Sequence, residues 1–290
     1  MKKTIKTIFI ILSVVLLLLL ATTLYFFFAY QNLSASAYTI HAEIEEPLCI
    51  VHLSDLHNKE YGENNVELVE LVAAQQPDLI FMSGDMLNRD DPNVEIVSNL
   101  IKALTSIAPV YFGYGNHEYT WEKNFSENLR EIFTEAGATV VNNDYIDVEV
   151  NGQALRIGGY MGYYRKPGMF KVSDEQRATE FAFADIFEDT ERLKLLINHI
   201  PTQWVDWNYV DKHPGGIVFS GHYHGGAIRI PFLDQGLYAP YVGWLPSFTK
   251  GIYTGEKATC VLSAGLGNEH HVPRINNPPE IVVVDLVPEK

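Results

Sequence analysis

The chain contains 290 residues, 47% of them apolar, and carries a formal net charge of −15 at pH 7. This length suits a single large α/β domain, and the apolar content is enough for a sizeable core. The acidic balance disfavours non-specific binding to nucleic acids, because phosphate backbones are repelled at long range. The two cysteines, Cys49 and Cys260, are too few for a disulfide framework. Both lie in apolar runs, which favours small buried side chains over a bridge.

The first thirty residues predict a membrane anchor. Residues 8–30 form an apolar stretch without a charge, preceded by lysines at positions 2, 3 and 6. A helix of this length spans the hydrocarbon core of a bilayer, which is about 30 Å thick. No formally charged residue follows before Glu43. The positive-inside rule therefore predicts a single-pass protein of the cell membrane, with a cytoplasmic N-terminus and everything after Tyr30 outside.

A cleaved signal peptide is the alternative interpretation of the same segment. Ala35-Ser36-Ala37 has the small residues that suit a signal peptidase, although the apolar region of a signal peptide is usually only about 7–15 residues long. With an uncleaved anchor, the chain divides into cytoplasmic lysines and a transmembrane helix (1–30), a juxtamembrane linker (31–46) and one domain (47–290). Both interpretations place that domain outside the cytoplasm.

Three apolar strands, separated by two helices, are predicted after the linker. The strands cover residues 49–53, 79–82 and 109–112, and the helices cover residues 63–75 and 91–106. Successive strand–helix units favour a buried parallel sheet, and ligands gather at the carboxyl ends of its strands. Asp55, Asp85 and Asn116 follow the three strand ends, so we expect them to share one site.

The second half of the chain alternates less regularly. Strands are predicted over residues 140–141, 146–150, 155–159, 193–197 and 217–220, and a helix over residues 174–188. Asn151-Gly152 marks a hairpin turn, so we expect the first three of these strands to be antiparallel. The last two end just before His199 and His222. The expected fold is α/β, a two-sheet β-sandwich flanked by helices, with an N-terminal transmembrane helix.

Four short polar clusters and a lone histidine, His199, follow these strand ends. The clusters are Asp55-Leu56-His57, Gly84-Asp85, Gly115-Asn116-His117-Glu118 and Gly221-His222-Tyr223-His224. Each alone has an ordinary explanation, such as a turn, a helix N-terminus or a buried core histidine. Their common placement after apolar strands indicates a metal centre instead. Mixtures of imidazole and carboxylate ligands suit Mn, Fe or Zn better than Ca.

In this order the clusters resemble the five sequence blocks of the calcineurin-like metallophosphoesterases. The similarity is greatest to the bacterial membrane-associated branch, in which Gly-His-x-His-Gly-Gly is followed by a basic residue and Pro-Phe, here Arg229 and Pro231-Phe232. The late segment from Pro273 to Ile281 also resembles that branch. Tyr223 and Ala227 stand where relatives commonly carry Thr and Gln, which weakens what the branch implies about substrate.

The resemblance implies a role for each polar residue of the clusters. Asp55, His57 and His224 would hold one divalent metal ion, Asn116, His199 and His222 would hold the other, and Asp85 would bridge the two. His117 would be catalytic, by stabilising the phosphoryl group or protonating the leaving group, with Glu118 orienting its ring. The two ions, Mn, Zn or Fe, would generate a hydroxide and stabilise the oxygens around phosphorus.

The implied function is that of a membrane-anchored, dinuclear metal-dependent phosphoesterase. We expect hydrolysis of phosphodiester bonds by in-line attack of a metal-bridging hydroxide, with monoesters and pyrophosphates as alternative substrates. An extracytoplasmic location would suit a lipid-linked or cell-wall phosphoester, whereas the acidic surface disfavours a nucleic acid. The alternative function is a non-catalytic, metal-containing module that binds the cell wall or the membrane surface.

Three further groups of residues each have two interpretations. Arg229 and Arg274 are either phosphate contacts or structural arginines. His270-His271 either touch the substrate or lie in a solvated loop. The aromatic run from Leu237 to Tyr253 is either an apolar lip that admits a lipid or glycan, or a loop packed on the second sheet.

Overall fold

Two six-stranded sheets pack face to face, with helices on the outer face of each, in the part of the chain that the structure describes. This computed structural model describes residues 2–162, 182–268 and 274–289. The layers follow the order helices, first sheet, second sheet, helices. The predicted α/β class with a two-sheet sandwich is thereby confirmed.

The first sheet is built around a group of parallel strands. Its order is β1 (Ser34–Ala42), β14 (Glu280–Pro288), β2 (Leu48–Leu53), β3 (Leu79–Met82), β4 (Val110–Gly113) and β5 (Thr139–Val141). The strands β2 to β5 are mutually parallel, as successive strand–helix units require. β14 runs antiparallel to β2, and β1 pairs in parallel with β14 at the edge.

The second sheet combines a parallel centre with antiparallel edges. Its order is β12 (Gly251–Thr254), β13 (Ala258–Leu262), β9 (Gly216–Ser220), β8 (Leu193–Asn198), β7 (Gln153–Tyr160) and β6 (Asp144–Val150). The predicted hairpin joins β6 and β7, and both turn residues, Asn151 and Gly152, have positive φ values of 50° and 79°. A pair of two-residue strands, β10 (Tyr238–Ala239) and β11 (Gly243–Trp244), lies outside both sheets.

Helices cover the outer faces of both sheets. The first sheet carries α2 (Val66–Ala73), α3 (Glu95–Thr105), α4 (Asn116–Phe125) and α5 (Leu129–Glu135), and the second carries residues 182–188 (α6) and α7 (Thr202–Val205). Short 3-10 turns occur at Glu63–Asn65, Tyr209–Asp211 and His224–Gly226.

Alternating side chains of the strands build the core on both faces of each sheet. In β2, Val51 and Leu53 face the helices, whereas Ile50 faces the second sheet. Between the sheets, the ring of Phe219 in β9 packs edge-on against that of Phe81 in β3, with centroids 4.9 Å apart. This contact joins the two sheets near the carboxyl ends of both strands.

Residues 31–46 differ from the linker that we predicted. Residues 34–42 form β1, which pairs with β14 along its whole length. Ile40 and Ala42 reach the core between the sheets. The strand is hard to recognise in the sequence because small Ser and Ala side chains in its first half give little hydrophobic periodicity.

Three other elements differ from the predictions or are described only in part. β5 is parallel to β4 rather than antiparallel to β6, because α4 and α5 form a crossover between β4 and β5. α3 begins at Glu95 rather than at residue 91, because the side chains of Asp91 and Asn93 accept backbone N–H groups two residues further on and hold turns there. Of the helix predicted over residues 174–188, residues 182–188 are helical and the others lie outside the described residues.

The N-terminal helix α1 (Lys2–Gln31) is long and apolar enough to cross a membrane. Its span from Thr4 to Tyr25 is not buried against the rest of the described chain. Because this span lies near the N-terminus, an N-terminal signal sequence would pass the same test of length and composition. β1 begins three residues after the helix ends.

The two cysteines are unbridged, as the sequence favours. Cys49 is half-buried on β2 of the first sheet, and Cys260 is buried on β13 of the second. Burial raises the pKa of both thiols, to about 11 and about 12 respectively. Both are therefore protonated and unreactive near neutral pH.

Replacing Phe219 by alanine should weaken the contact between the sheets. Phe219 is fully buried against Phe81 and His52, so its truncation should lower the free energy of unfolding by about 3–5 kcal/mol. Phe232→Ala is the matched control, because Phe232 is fully exposed and its truncation should change stability by less than about 0.5 kcal/mol. Denaturant titration of both variants measures the difference, and equal losses would contradict this packing.

Candidate metal centre

Seven polar side chains lie where the parallel strands of both sheets end. They are Asp55 and His57 after β2, Asp85 after β3, Asn116 after β4, His199 after β8, and His222 and His224 after β9. Both sheets contribute side chains to the site, because the carboxyl ends of their parallel strands lie at the same edge of the sandwich.

Six of these residues form two compact, buried groups. One group is Asp55, His57 and His224, and the other is Asp85, His199 and His222; within each group the ligand atoms lie within 4.8 Å of one another. The groups are adjacent, since the His57 N–H donates to the Asp85 carbonyl oxygen at 3.1 Å and the His222 N–H donates to Asp55 Oδ2 at 3.0 Å. The resemblance implies the same division except that Asp85 would bridge both ions, and the assignment of the ligands stays a prediction.

Several ligand atoms are buried without a hydrogen-bond partner among the described residues. These are His57 Nε2, Asn116 Oδ1, His222 Nε2 and His224 Nδ1. Unpartnered buried polar atoms are costly, so a group of them at one edge requires a cause. Imidazole nitrogens and an amide oxygen beside two carboxylates are cation ligands. The residues present therefore fit a pair of divalent metal ions.

The backbone at the ligands adopts a sparsely populated conformation. Asp55, His57, Asp85, His222 and His224 all have positive φ, between 48° and 68°. Strain of this kind costs about 1–3 kcal/mol per residue and persists only where the surrounding structure enforces it. Its concentration at five predicted ligands marks the edge as a candidate functional site.

Two glycines permit the close approach of the ligand loops. A Cβ atom on Gly221 would lie 2.1 Å from Asp55 Oδ2, and one on Gly84, where φ is 91°, would lie 2.2 Å from the backbone nitrogen of Gly115. Neither position therefore accepts a residue larger than glycine.

Two ligand histidines are oriented through their second ring nitrogen. His199 Nδ1 donates to the carbonyl oxygen of Ser83 at 2.8 Å, which leaves Nε2 for the site. His57 Nδ1 lies 3.2 Å from Asn88 Oδ1, and Asn88 Nδ2 donates to the His57 carbonyl oxygen at 2.9 Å. Such partners fix the tautomer and the direction of the ring. No motif in the sequence marks Asn88 for this role.

A chain of hydrogen bonds reaches Asp55 from the core. Ser54 Oγ donates to Asp55 Oδ2 at 2.5 Å, and Ser83 Oγ donates to Ser54 Oγ at 2.9 Å. Because the Ser83 proton is used there, His52 Nε2 is the donor to Ser83 Oγ, at 2.7 Å. Burial lowers the pKa of His52 to about 3, so its ring is neutral. The chain fixes the orientation of the Asp55 carboxylate.

Glu118 holds the loop after β3. Its Oε2 accepts the N–H groups of Asp85 and Gly115, both at 2.8 Å, and its Oε1 accepts the N–H of Met86 at 2.9 Å. Burial and the Asp85 carboxylate raise the pKa of Glu118 to about 7. These contacts position Asp85. They differ from the prediction, in which Glu118 orients the ring of His117.

His117 presents a hydrogen-bond donor to the site. Its ring centroid lies 4.6 Å from that of His57, and its Nε2 lies 4.0 Å from Asp85 Oδ2. The backbone N–H of Arg89 donates to His117 Nδ1 at 3.1 Å, so the neutral ring carries its proton on Nε2. Burial lowers the pKa of His117, which favours this neutral form near pH 7.

Asp85 and His199 control each other's protonation. His199 Nε2 lies 3.1 Å from Asp85 Oδ2. Burial acts to lower the pKa of His199, but the Asp85 carboxylate outweighs it and raises the pKa to about 9. Burial likewise acts to raise the pKa of Asp85, yet His199 and His117 hold it well below its usual range. Burial keeps His57 and His222 neutral by lowering the pKa of each.

Both candidate arginines have structural contacts. The Arg229 guanidinium donates to the Gly225 carbonyl oxygen at 3.0 Å and also contacts Asp234. Arg274 is buried and donates to the carbonyl oxygen of Gly267 at 3.0 Å. These bonds hold the loops that surround the metal ligands.

The aromatic run from Leu237 to Tyr253 contains residues that fit an exposed lip and residues that fit a loop packed on the second sheet. Tyr241 stacks on His222, with ring centroids 5.2 Å apart and planes inclined by 7°. Trp244 is 73% exposed, whereas Tyr253 packs on the second sheet. His270-His271 lie outside the described residues.

Comparison with known sequences identifies the family. The sequence model of the calcineurin-like phosphoesterases matches residues 49–226, which is more than half of the chain. The chain therefore belongs to the calcineurin-like phosphoesterase family.

Bacterial relatives align along most of their length. The uncharacterized metallophosphoesterase YkoQ of Bacillus subtilis is 26% identical over 239 residues, which cover 81% of this chain and 82% of that protein. The phosphodiesterase YaeI of Escherichia coli is 24% identical over 250 residues, which cover 83% of each.

Solved structures show a more distant likeness. The 5'-nucleotidase precursor of Thermus thermophilus aligns with a TM-score of 0.46 at 15% identity, and the alignment covers 83% of this chain and 54% of that one. A dimetal phosphatase from Danio rerio aligns with a TM-score of 0.44 at 10% identity, and the alignment covers 75% of this chain and 87% of that one. This chain thus spans about half the length of the nucleotidase precursor.

Binding of Mn²⁺ should release a proton from His199. The ring is protonated at pH 7, because its pKa is about 9, whereas a metal-ligating imidazole is neutral. The affinity for Mn²⁺ should therefore rise with pH and level off above pH 9. Calorimetric titration of metal-depleted protein in buffers of different ionisation enthalpy measures the release. Between pH 7 and pH 10 the release should fall by about one proton, and an unchanged value would contradict the assignment.

Proposed function

We propose that the protein is a membrane-anchored phosphodiesterase that works with two divalent metal ions. Membership of the calcineurin-like phosphoesterases supports hydrolysis of phosphoric esters. The observation that carries the proposal is the pair of adjacent His and Asp groups, whose unpartnered atoms lie beside the Nε2–H donor of His117.

The ligands form two sets that share one carboxylate. Asp55, His57 and His224 would hold one ion, Asn116, His199 and His222 the other, and Asp85 would bridge them. When bound, two divalent cations polarise the phosphoryl oxygens and activate water for in-line attack. The carboxylates of Asp55 and Asp85 neutralise only half of the added charge, so the loaded site attracts an anionic ester although the chain is acidic. The donor set favours Mn, Zn or Fe.

His117 is the proposed catalytic donor. Its Nδ1 is occupied by the Arg89 N–H, so its Nε2–H is the group that can reach a phosphoryl or leaving-group oxygen. A proton donor in this position contributes about 10²–10⁴-fold to the rate. Glu118 contributes indirectly, by holding the loop that carries Asp85.

A phosphodiester is the preferred substrate, with monoesters and pyrophosphates as the alternatives. The name of the Escherichia coli relative, a phosphodiesterase, supports this preference. Because the proposed location of the domain is outside the cytoplasm, the proposed ester belongs to a lipid or to the cell wall.

Membrane attachment through α1 is supported by the way the helix joins the domain. A signal peptidase acting at Ala35-Ser36-Ala37 would cut within β1 and remove residues that pair with β14. An uncleaved anchor keeps the whole strand. The lysines at positions 2, 3 and 6 place the N-terminus in the cytoplasm and the domain outside.

The full chain, purified in detergent with Mn²⁺, should hydrolyse bis-p-nitrophenyl phosphate. Asp85→Asn should lower kcat/KM by about 100-fold or more, because it removes charge shared by both ligand sets. Asp185→Asn is the matched control, since Asp185 is exposed on α6 and should retain activity. The proposal fails if no hydrolysis occurs with Mn²⁺, Zn²⁺ or Fe²⁺, or if Asp85→Asn is fully active.

Substituting His117 by alanine should lower kcat by about 10²–10⁴-fold without loss of bound metal. His41→Ala, an exposed histidine on β1, should have no effect. If His117 protonates the leaving group, the loss should be larger for an alkyl leaving group than for p-nitrophenolate, which needs no proton. An equal loss for both indicates stabilisation of a phosphoryl oxygen, and wild-type rates would exclude either role.

A further inference from the structure

An exposed apolar surface borders the metal centre. Phe232 is fully exposed, and Leu233, Trp244 and Leu245 are exposed by 61%, 73% and 58%. These four residues are called the apolar rim below. Large apolar side chains that protrude together from a folded domain mark a contact surface.

The rim extends from the segment that carries two of the ligands. After His224, a first turn reverses the chain between Ile230 and Gln235, where a backbone hydrogen bond of 2.9 Å closes it. A second turn joins β10 and β11. Gln235 Nε2 donates to the Pro246 carbonyl oxygen at 2.8 Å, which holds the two turns side by side. Tyr241, in the second turn, stacks on His222, so the rim stands at the mouth of the site.

The long helix α1 enters the domain at this same edge. β1 begins at Ser34, which pairs with Glu280 at the start of β14. The Glu280 N–H donates to the Gly265 carbonyl oxygen at 3.1 Å, and in the same loop the Gly267 N–H donates to the Asp55 carbonyl oxygen. Because β14 is antiparallel to β2, the start of β1 lies at the carboxyl end of β2, where the ligands begin.

The connection between helix and domain is too short to act as a flexible tether. α1 ends at Gln31, and Leu33 already packs against the core of the first sheet. Two residue steps span at most about 7 Å. The first rim turn follows Arg229, whose N–H donates to the Ile275 carbonyl oxygen at 2.9 Å, five residues before β14 begins at Glu280. A bilayer crossed by α1 is therefore close to the edge that carries both the rim and the ligands.

We propose that the apolar rim inserts into the interface of the bilayer that α1 spans. The inference rests on the membrane anchoring proposed above. Indole and aliphatic side chains suit the boundary between headgroups and acyl chains. Asp234 is exposed beside the rim and the chain is strongly acidic, so the attachment is apolar and needs no anionic lipid. The metal centre then opens toward the headgroup layer, where lipid phosphoesters lie.

Quenching of tryptophan fluorescence by brominated acyl chains tests the insertion. The full chain is reconstituted into phosphatidylcholine nanodiscs with and without bromine on the acyl chains. Trp121 and Trp204 are buried, and Trp207 is half-buried beside Tyr209, which packs on the outer face of the second sheet. Bromolipid should therefore quench mainly Trp244. Trp244→Phe should lose most of the quenching, and the matched control Trp207→Phe should retain it.

Two results would overturn the insertion. One is unchanged quenching in Trp244→Phe. The other is fluorescence that is insensitive to bromolipid. If the nanodisc then also holds a dimer that Trp244→Ser separates, a second copy of the chain covers the rim instead of the bilayer.

Hydrolysis of bis-p-nitrophenyl phosphate, measured in the same nanodiscs, separates this inference from the proposed activity. Hydrolysis without quenching rejects the rim insertion alone. Quenching without hydrolysis rejects the phosphodiesterase and leaves the insertion standing. The Trp244→Phe variant should hydrolyse this soluble diester at the wild-type rate, because Trp244 belongs to the rim and not to the ligand groups.

Discussion

The carboxylate of Asp55 joins the two sheets at the edge where their parallel strands end. Asp55 belongs to the first sheet, yet both of its oxygens accept the backbone N–H of His222 from the second. This bond forms only when the sheets are stacked with the ends of β2 and β9 side by side. The two ligand groups depend on that stacking, because each contains residues from both sheets. Packing of Phe219 on Phe81 supports the same alignment from within the core.

Three buried carboxylates at this edge have different roles because they accept different hydrogen bonds. Glu118 receives three backbone N–H groups, so its oxygens are committed to the loop after β3. Asp85 receives the His117 N–H on Oδ1 and keeps Oδ2 near His199. Asp55 is held by Ser54 and by the second sheet. Backbone donors thus determine which carboxylate is a support and which is available to a cation.

Much of the site was predictable because each ligand follows a continuous apolar strand, and such strands are recognisable without knowledge of tertiary contacts. The contacts of Glu118 differ from the predicted ones for a geometric reason. Consecutive residues on a helix do not face each other, so a side chain next to His117 in α4 points elsewhere. Asn88 has no sequence signal at all, since its contact with His57 exists only after β2 and β3 have paired. β1 was missed because its first residues are small and polar, and its partner β14 lies at the far end of the chain.

The wide spacing of the ligands along the chain has a consequence for the order of events in biosynthesis. One group needs Asp55 and His224, and the other needs Asp85 and His222. Neither coordination set exists until the last of these residues has been synthesised and both sheets have folded. Under the proposed anchoring, the domain would cross the membrane before it folds, without bound ions, and would bind them on the far side. Which metals it carries would then reflect the supply in the compartment where it folds, rather than the intrinsic order of affinities.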